Sequence, residues 1–285
     1  MSETWFVEKH TPAAGLTLQV GARLFDAHSR YQHVEVLETG EFGRMLLLDG
    51  CVMVTDRDEH VYHEMIVHPP VLAHPRPERL LIIGGGDGGS VREALKHENL
   101  RQIDLVEIDG MVVEASRRFF PRLAQGLDDP RVAVHIADGF EHLDRHAAAY
   151  DVILVDSMDP VGEAAKLFST PFFAKVKRSL KAGGIAVFQS ESPFYHTAIL
   201  RDLLAALRGQ FRYAAPYLAH IPTYPSGLWS FTFVSDAVDP RTAKPRPPGA
   251  WAAQLKYFRP ELFRAALVLP NAWRDLEGPP AGAGS

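Results

Sequence analysis

The sequence predicts an α/β protein in which a small antiparallel β domain precedes a larger, mostly parallel sheet with helices on both faces. From Arg79 onward, apolar strand-like segments alternate with helix-like segments, which is typical of βαβ units. A glycine-rich turn joins the first of these strands directly to a helix. Up to about His68, short β-like runs are separated by turn signals. We therefore predict a β domain over residues 1–68 and a Rossmann-like domain over residues 69–285.

The predicted elements follow the chain in order. The N-terminal β-like runs are LTLQV, YQHVEVLET, RMLLLDG and CVMVTD, with a turn at Asp49 and Gly50. The strands of the larger sheet are predicted from RLLIIG, IDLVEID, VAVHIAD, DVILVDS and GIAVFQS. Helices are predicted from SVREALKH, MVVEASRRFF and FFAKVKRSLK, and a further amphipathic helix runs roughly from Tyr195 to Gly209.

The last part of the chain completes the sheet. The segments RYAAPYLAHI and LWSFTFVS flank the turn-rich IPTYPSG, which predicts an antiparallel hairpin at the edge of the sheet. The stretch DPRTAKPRPPG is a loop by composition, and the tail EGPPAGAGS is expected to be disordered.

Composition restricts the class of protein. The 285 residues carry a formal net charge of −5, which argues against a nucleic-acid partner because polyphosphates are bound mainly through Lys and Arg. A cationic small molecule fits this charge better. The chain has no apolar run long enough for a bilayer span and no visible leader peptide, and its single Cys51 excludes an intrachain disulfide. We expect a cytoplasmic protein without a membrane partner.

The glycine-rich turn GGGDGG predicts a ligand site where the first parallel strand meets its helix. Gly84, Gly86 and Gly89 also satisfy the G-x-G-x-x-G pattern of dinucleotide-binding proteins, so a nicotinamide enzyme is an open alternative. Asp87 lies where a dinucleotide would place its pyrophosphate, and two like charges there would repel by several kcal/mol. Asp87 therefore favours a cationic ligand, unless it points outward as a helix N-cap.

Further acidic residues follow the predicted strands. Glu107 ends the second strand, where a carboxylate accepts hydrogen bonds from ribose hydroxyls. The carboxyl ends of parallel strands meet at one edge of a sheet, so four aspartates are predicted to share one pocket: Asp87, Asp138, Asp156 and Asp159. Such a cluster requires a positively charged ligand, such as a diammonium chain or a sulfonium. The alternative is that Asp156 and Asp159 only cap a helix and begin a turn.

Two other kinds of site receive no support. His60, His63 and His68 lie close together in sequence, but His63-Glu64 followed by His68 misses the H-E-x-x-H spacing by one residue, so no metal site is predicted. No G-x-S-x-G elbow is present for a Ser/His/Asp triad.

Nine segments follow one another from about residue 31 to 234: YQ, EFGRMLLLDG, DEHVYHEM, LLIIGGGDGGSVREALKH, LVEIDGMVV, ADGFEHL, YDVILVDSMDP, LKAGGIAVFQSES and IPTYPSG. In this order they resemble the spermidine synthases, or polyamine aminopropyltransferases. The resemblance implies transfer of an aminopropyl group from decarboxylated S-adenosylmethionine to a diamine. Putrescine is the family's usual acceptor, and the products would be spermidine and 5′-methylthioadenosine. The donor is a co-substrate, and no cofactor or metal is implied.

The resemblance also implies residue roles. Asp156 matches the proton acceptor. Donor contacts are implied for Gln32, Asp87, Glu107, Asp138 and Gly139, with the glycine loop at Gly84, Gly85, Gly86 and Gly88. Acceptor contacts are implied for Tyr62, His63, Asp159 and Tyr224. Glu163 replaces the usual proline, and Met53 stands where glutamine is common. By analogy, we expect a homodimer or homotetramer.

Three other functions stay open on the sequence alone. One is a methyltransferase that uses intact S-adenosylmethionine on the same kind of sheet. Another is a non-catalytic protein that binds a polyamine or a nucleoside, and the third is the nicotinamide dehydrogenase.

Overall fold

The computed structural model describes residues 3–157 and 166–278. Its N-terminal part is a five-stranded antiparallel sheet in which neighbouring strands follow chain order. The strands are β1 (Thr4–Thr11), β2 (Ala14–His28), β3 (His33–Thr39), β4 (Gly43–Leu48) and β5 (Cys51–Thr55). Asp49 and Gly50, with φ of 50° and 79°, form the predicted two-residue turn between β4 and β5, since type I′ hairpins require positive φ at both positions.

The larger sheet has seven strands in the order β11-β12-β10-β9-β6-β7-β8. They are β6 (Arg79–Gly84), β7 (Gln102–Glu107), β8 (Val132–Ile136), β9 (Tyr150–Asp156), β10 (Leu180–Gln189), β11 (Tyr213–His220) and β12 (Leu228–Ser235). Strands β6 to β10 are parallel to their neighbours among themselves, and β12 is antiparallel to both β10 and β11. The predicted fold class is confirmed.

Helices cover both faces of this sheet. They are α1 (Glu59–Ala73), α2 (Gly89–Leu95), α3 (Gly110–Phe119), α4 (Pro121–Ala124), α5 (Gly139–His142), α6 (Thr170–Ser179), α7 (Thr197–Arg208) and α8 (Pro260–Ala266). Successive residues of a strand point to opposite faces. Leu80 and Ile82 of β6 therefore pack with α1, α2 and α8, whereas Leu81 and Ile83 pack with α6 and α7.

Helix α1 was not predicted, because it is buried almost all round and contains Pro69 and Pro70. A proline cannot donate the helical hydrogen bond to the carbonyl four residues earlier. The hydroxyl of Tyr217 donates to the Met65 carbonyl instead (2.8 Å), so the oxygen that Pro69 leaves unbonded is satisfied. Because α1 runs unbroken through residue 68, we propose that the domain division lies before Glu59 rather than at residue 68.

The described ranges, 3–157 and 166–278, contain no helix that is both long and apolar enough to cross a membrane.

Candidate active site

A cavity of about 390 Å³ lies at the carboxyl ends of β6, β7 and β9, where the N-terminal sheet faces them. Most of the residues predicted for the site line it: Gln32, Tyr62, His63, Gly84, Gly85, Gly86, Asp87, Glu107, Asp138, Gly139, Asp156 and Tyr224. Gly88 does not line the cavity and instead occupies the N-cap position of α2, with φ of 86°. Asp159 and Glu163 lie outside the described residues.

The glycine loop follows β6, and two of its glycines have no room for a side chain. At Gly84, with φ of 83°, an added Cβ would lie 2.1 Å from the Asp156 carbonyl oxygen on the paired strand. At Gly86, it would lie 2.8 Å from Cγ of Glu107. The backbone of the loop can therefore approach both the neighbouring carboxylates and a ligand closely.

Asp156 is at the end of β9, and both of its carboxylate oxygens accept short hydrogen bonds. Tyr62 Oη donates to Oδ1 and Ser90 Oγ donates to Oδ2, each at 2.6 Å. Burial, followed by the negative charge of Asp87, raises the pKa of Asp156 above its usual range, although both hydroxyls act in the opposite direction. The group is therefore a stronger base than an exposed aspartate.

Asp87 points into the cavity and is 9% exposed, so the outward N-cap interpretation is wrong. Its Oδ1 accepts a hydrogen bond from Gly89 N (2.7 Å) and lies 3.1 Å from His63 Nε2. Burial alone would raise the pKa of Asp87, but the charge and hydrogen bond of His63 outweigh it and lower the pKa. Asp87 is thus a buried, ionised carboxylate at the cavity wall.

Glu107 ends β7 on the other side of the glycine loop. Its carboxylate accepts hydrogen bonds from Asp109 N (2.9 Å) and Gly86 N (3.2 Å). Burial outweighs these bonds and raises the pKa of Glu107 to about 7. Gln32 is held beside it, since its Nε2 donates to Asp109 Oδ2 (2.8 Å).

Asp138 and Gly139 begin α5 at the next strand end. Asp138 Oδ1 accepts a hydrogen bond from Phe140 N (2.8 Å), and Lys166 Nζ lies 2.7 Å from Oδ2. An added Cβ at Gly139 would lie 2.4 Å from Cγ2 of Ile83, so this corner needs glycine. Asp138 therefore lies at the same cavity as Asp87 and Asp156, but with a cationic neighbour of its own.

Aromatic rings also line the cavity. The rings of Tyr62 and Tyr224 are 5.8 Å apart between centroids, and Tyr224 also packs edge-on against Trp229 at 4.9 Å. Tyr224 is fixed at its hydroxyl, which donates to the backbone carbonyl of Met53 (2.7 Å). The faces and edges of these tilted rings offer apolar surface suited to a methylene chain.

Glu8 is a lining residue that the sequence did not reveal. It lies on β1, a strand that was not predicted, and no motif marks it. Its side chain accepts one hydrogen bond, from Val52 N (3.1 Å). Burial raises the pKa of Glu8 to about 7, against the smaller effect of this bond.

Comparisons with known proteins agree with this geometry. The family profile described as "Spermine/spermidine synthase domain" matches residues 59–243, and that described as "Spermidine synthase tetramerisation domain" matches residues 4–56. The polyamine aminopropyltransferase of Bacillus subtilis (strain 168) is 44% identical over 276 residues, which cover 97% of this chain and 99% of that protein. The one from Caldicellulosiruptor saccharolyticus is 43% identical over 272 residues, covering 94% of this chain and 96% of that protein.

Two solved structures are similar along almost the whole chain. A crystal structure of spermidine synthase in complex with the transition state analogue AdoDATO has a TM-score of 0.91 at 35% identity, and the match covers 96% of this chain and 94% of that one. The crystal structure of spermidine synthase from Thermotoga maritima has a TM-score of 0.89 at 35% identity, with the same coverage.

Proposed function

We propose, from the premise that this chain belongs to the polyamine aminopropyltransferase family, that it transfers the aminopropyl group of decarboxylated S-adenosylmethionine to putrescine. The products would be spermidine and 5′-methylthioadenosine. The observation that carries this proposal is a group of carboxylates at one cavity, of which Asp87 and Glu107 are buried and Asp156 is partly buried. Within the described residues, no lysine or arginine forms an ion pair with any of these three, and His63, which contacts Asp87, supplies one positive charge for the three carboxylates. Ligand cations would offset the cost of burying them.

The donor would lie along the glycine loop. Glu107 would accept hydrogen bonds from the ribose hydroxyls, while Gln32 and the Asp138-Gly139 corner would contact the rest of the nucleoside. Asp87 would bind the terminal ammonium of the aminopropyl chain. Intact S-adenosylmethionine carries a carboxylate at that end, which Asp87 would repel, so this one residue both attracts the donor and rejects its precursor.

The reaction needs a neutral amine. Holding one end of a diamine neutral near pH 7 costs roughly 4–5 kcal/mol, since an alkylammonium has a pKa of about 10.4. The sulfonium of the donor disfavours a second cation beside it, and Asp156 is placed to accept the proton. The amine lone pair then attacks the methylene carbon next to sulfur, and the C–S bond breaks with its electrons on sulfur. Tyr62 orients Asp156 through the hydrogen bond of 2.6 Å.

The acceptor would extend along the exposed faces of the two tyrosine rings, whose centroids are 5.8 Å apart. Tyr62 and Tyr224 would pack against its methylenes, and Asp159 remains proposed as a contact to its ammonium. Glu8 lines the same cavity next to Val52 and is a further carboxylate placed to bind the distal ammonium. A fixed spacing between Asp156 and a distal carboxylate would select acceptor length, and we propose putrescine because it is the usual acceptor of the family that the chain resembles.

We also propose that the enzyme is a homo-oligomer, and specifically a tetramer. The N-terminal sheet matches the family's tetramerisation domain. Two large apolar side chains of β1 are exposed on it, Trp5 at 51% and Val7 at 60%. Sedimentation of the full chain at several concentrations would distinguish a tetramer from a dimer.

The decisive experiment is incubation of the full chain with decarboxylated S-adenosylmethionine and a panel of diamines, with product masses and methylthioadenosine as readouts. A parallel reaction with intact S-adenosylmethionine tests for a methyltransferase. Asp156→Asn should lower kcat by about 10²–10⁴ with an unchanged fold. The control Asp128→Asn removes a carboxylate from an exposed ion pair with Arg117 and should keep wild-type activity. Absence of turnover with every amine would refute the proposal.

A further inference from the structure

A buried network of side chains with alternating charges leads away from the cavity, starting at Asp87. His63 Nε2 lies 3.1 Å from Asp87, and its Nδ1 lies 2.7 Å from Glu59 Oε2. Arg92 then holds Glu59 with two hydrogen bonds of 2.9 Å, and its Nε bonds Glu93 at 2.8 Å. The side chains of Glu59 and Glu93 are 9% and 1% exposed, so water and salt screen the interactions within this network only weakly.

His63 uses both of its ring nitrogens in this network. Both ring nitrogens contact carboxylates, and the residue is 2% exposed. The ring also lies tightly against the start of α2, since a Cβ added at Gly89 would lie 2.2 Å from its Cε1. His63 therefore has no remaining polar atom for a diamine, although it lines the cavity through its ring.

We propose that Glu59 and Arg92 are positioning residues that hold His63 as an imidazolium and thereby keep Asp87 ionised toward the aminopropyl ammonium of the donor. This inference rests on the proposed function, which it deepens by explaining how the donor-recognising charge is maintained. It also changes the expected role of His63, from an acceptor contact to the counter-ion of Asp87.

The charges around His63 support this assignment. The ring nitrogens contact Glu59 of α1 and Asp87 of the glycine loop, and the ring of Tyr62 packs edge-on at 5.5 Å. Asp156 at the end of β9 also interacts electrostatically with His63, whereas Arg92 of α2 contacts Glu59. Burial alone would lower the pKa of His63, but Asp87 and Glu59 together raise it to about 10. Burial would raise the pKa of Glu59, but His63 and then Arg92 lower it to about 2. The two parallel charge-assisted bonds from Arg92 also fix the position of this carboxylate.

The positive charge on His63 determines which of the two carboxylates, Asp87 or Asp156, has the higher proton affinity. Two carboxylates that share a dry site do not both ionise readily. The imidazolium lies against Asp87, so Asp87 stays ionised, and Asp156 is left with the higher proton affinity and can accept the proton of the amine. This division suits a donor site and a base that lie side by side, since the ammonium needs a charge and the attacking amine needs a proton acceptor.

The charge of His63 is measured directly on the full chain with ring-labelled histidine, with His63 assigned from the signal that His63→Gln removes. We expect the imidazolium pattern from about pH 6 to 9 in the wild type and a titration midpoint lower by about 1–3 pH units in Glu59→Gln. A neutral ring at pH 7 in the wild type would overturn the proposal. This measurement involves no turnover, so it tests the charge of His63 even if the protein proves inactive. Failure of this inference is therefore distinguishable from failure of the proposed function.

A double-mutant cycle tests whether Glu59 acts through His63. Glu59→Gln should raise the donor KM by about 10- to 100-fold at pH 8.5 with little change in the acceptor KM, because one charge-assisted bond to the histidine is lost. In the His63→Gln background, the same change should cost less than about 3-fold. Equal losses in both backgrounds would refute the coupling. Arg92→Lys retains the charge and should restore part of the loss seen in Arg92→Gln.

Folding effects are controlled separately. Glu41→Gln removes the carboxylate of an exposed ion pair with Arg57 far from the cavity lining, and it should leave both KM values unchanged. Should Glu59→Gln fail to fold, Gly89→Ala provides a second test, since its methyl group displaces the His63 ring. We expect the donor KM to rise in this variant as well. A donor KM that stays at the wild-type value would contradict the proposal.

Discussion

Replacing Glu8 by glutamine should stabilise the unliganded protein at neutral and alkaline pH. The pKa of Glu8 rises from 4.5 to about 7, chiefly by burial. The folded chain therefore holds this proton more tightly than the unfolded chain. The resulting stabilisation is complete below about pH 4.5 and is lost as the pH rises through about 7. Once both values are exceeded, the loss is roughly 3 kcal/mol, at about 1.36 kcal/mol for each pKa unit.

Glutamine has no proton to lose, so the variant should escape this loss. The difference in unfolding free energy between Glu8→Gln and wild type should grow by about 2–3 kcal/mol between pH 5 and 8. Urea unfolding followed by tryptophan fluorescence measures it, with both proteins at one concentration because oligomerisation affects stability. Glu41→Gln, whose carboxylate is 80% exposed, serves as the control. Curves that run parallel across this pH range would refute the reasoning, whereas a gain in stability with a higher putrescine KM would support it.

Three further changes test the site. Asp87→Asn should narrow the affinity ratio between decarboxylated and intact S-adenosylmethionine by about 10-fold or more, and calorimetry showing equal losses for both would contradict this. Tyr62→Phe removes a hydrogen bond that lowers the pKa of Asp156, so this pKa should rise. The acid limb of the pH profile of kcat should then move to higher pH, and an unchanged limb would count against Asp156 as the base. Gly86→Ala places a methyl group 2.8 Å from Glu107 Cγ and should weaken methylthioadenosine binding by about 10-fold or more, measured by calorimetry, while unchanged binding would mean that the carboxylate can swing aside freely.

The convergence of the acidic residues could be predicted from the sequence, because it follows from topology alone. In a parallel sheet, each strand delivers its last residue to the same edge. In the register of the sheet, Gly84 of β6 pairs with Asp156 of β9, which places the glycine loop against the proposed base. No knowledge of side-chain packing was needed for that step, only the assignment of strands.

What the sequence did not reveal is set by contacts between distant residues. Glu8 enters the cavity because β1 pairs with β2 and the sheet then folds over the strand ends, and neither step leaves a local motif. The role of His63 depends on Glu59 one turn earlier and on Asp87 from another element. The family resemblance made His63 a candidate acceptor contact, whereas the fold leaves it no free polar atom.

Helix α1 explains why the motif DEHVYHEM carries so many polar residues in a buried segment. Asp58, just before it, accepts two hydrogen bonds from Thr223, in the loop that leads to Tyr224. Glu64 accepts three backbone N–H groups, at 2.7 to 2.9 Å, from residues 256–258 of the C-terminal segment.

Tyr62 and His63 lie between these two anchors on α1. Tyr62 donates a hydrogen bond to Asp156, and His63 contacts Asp87. The proposed base and the proposed donor-binding acid are thus both held by α1. The residue before this helix, Asp58, also bonds Thr223, next to Tyr224. Displacements of about 1 Å between reacting groups are costly in catalysis. Fixing both carboxylates to adjacent positions of one buried helix keeps their separation constant even when the surrounding loops move.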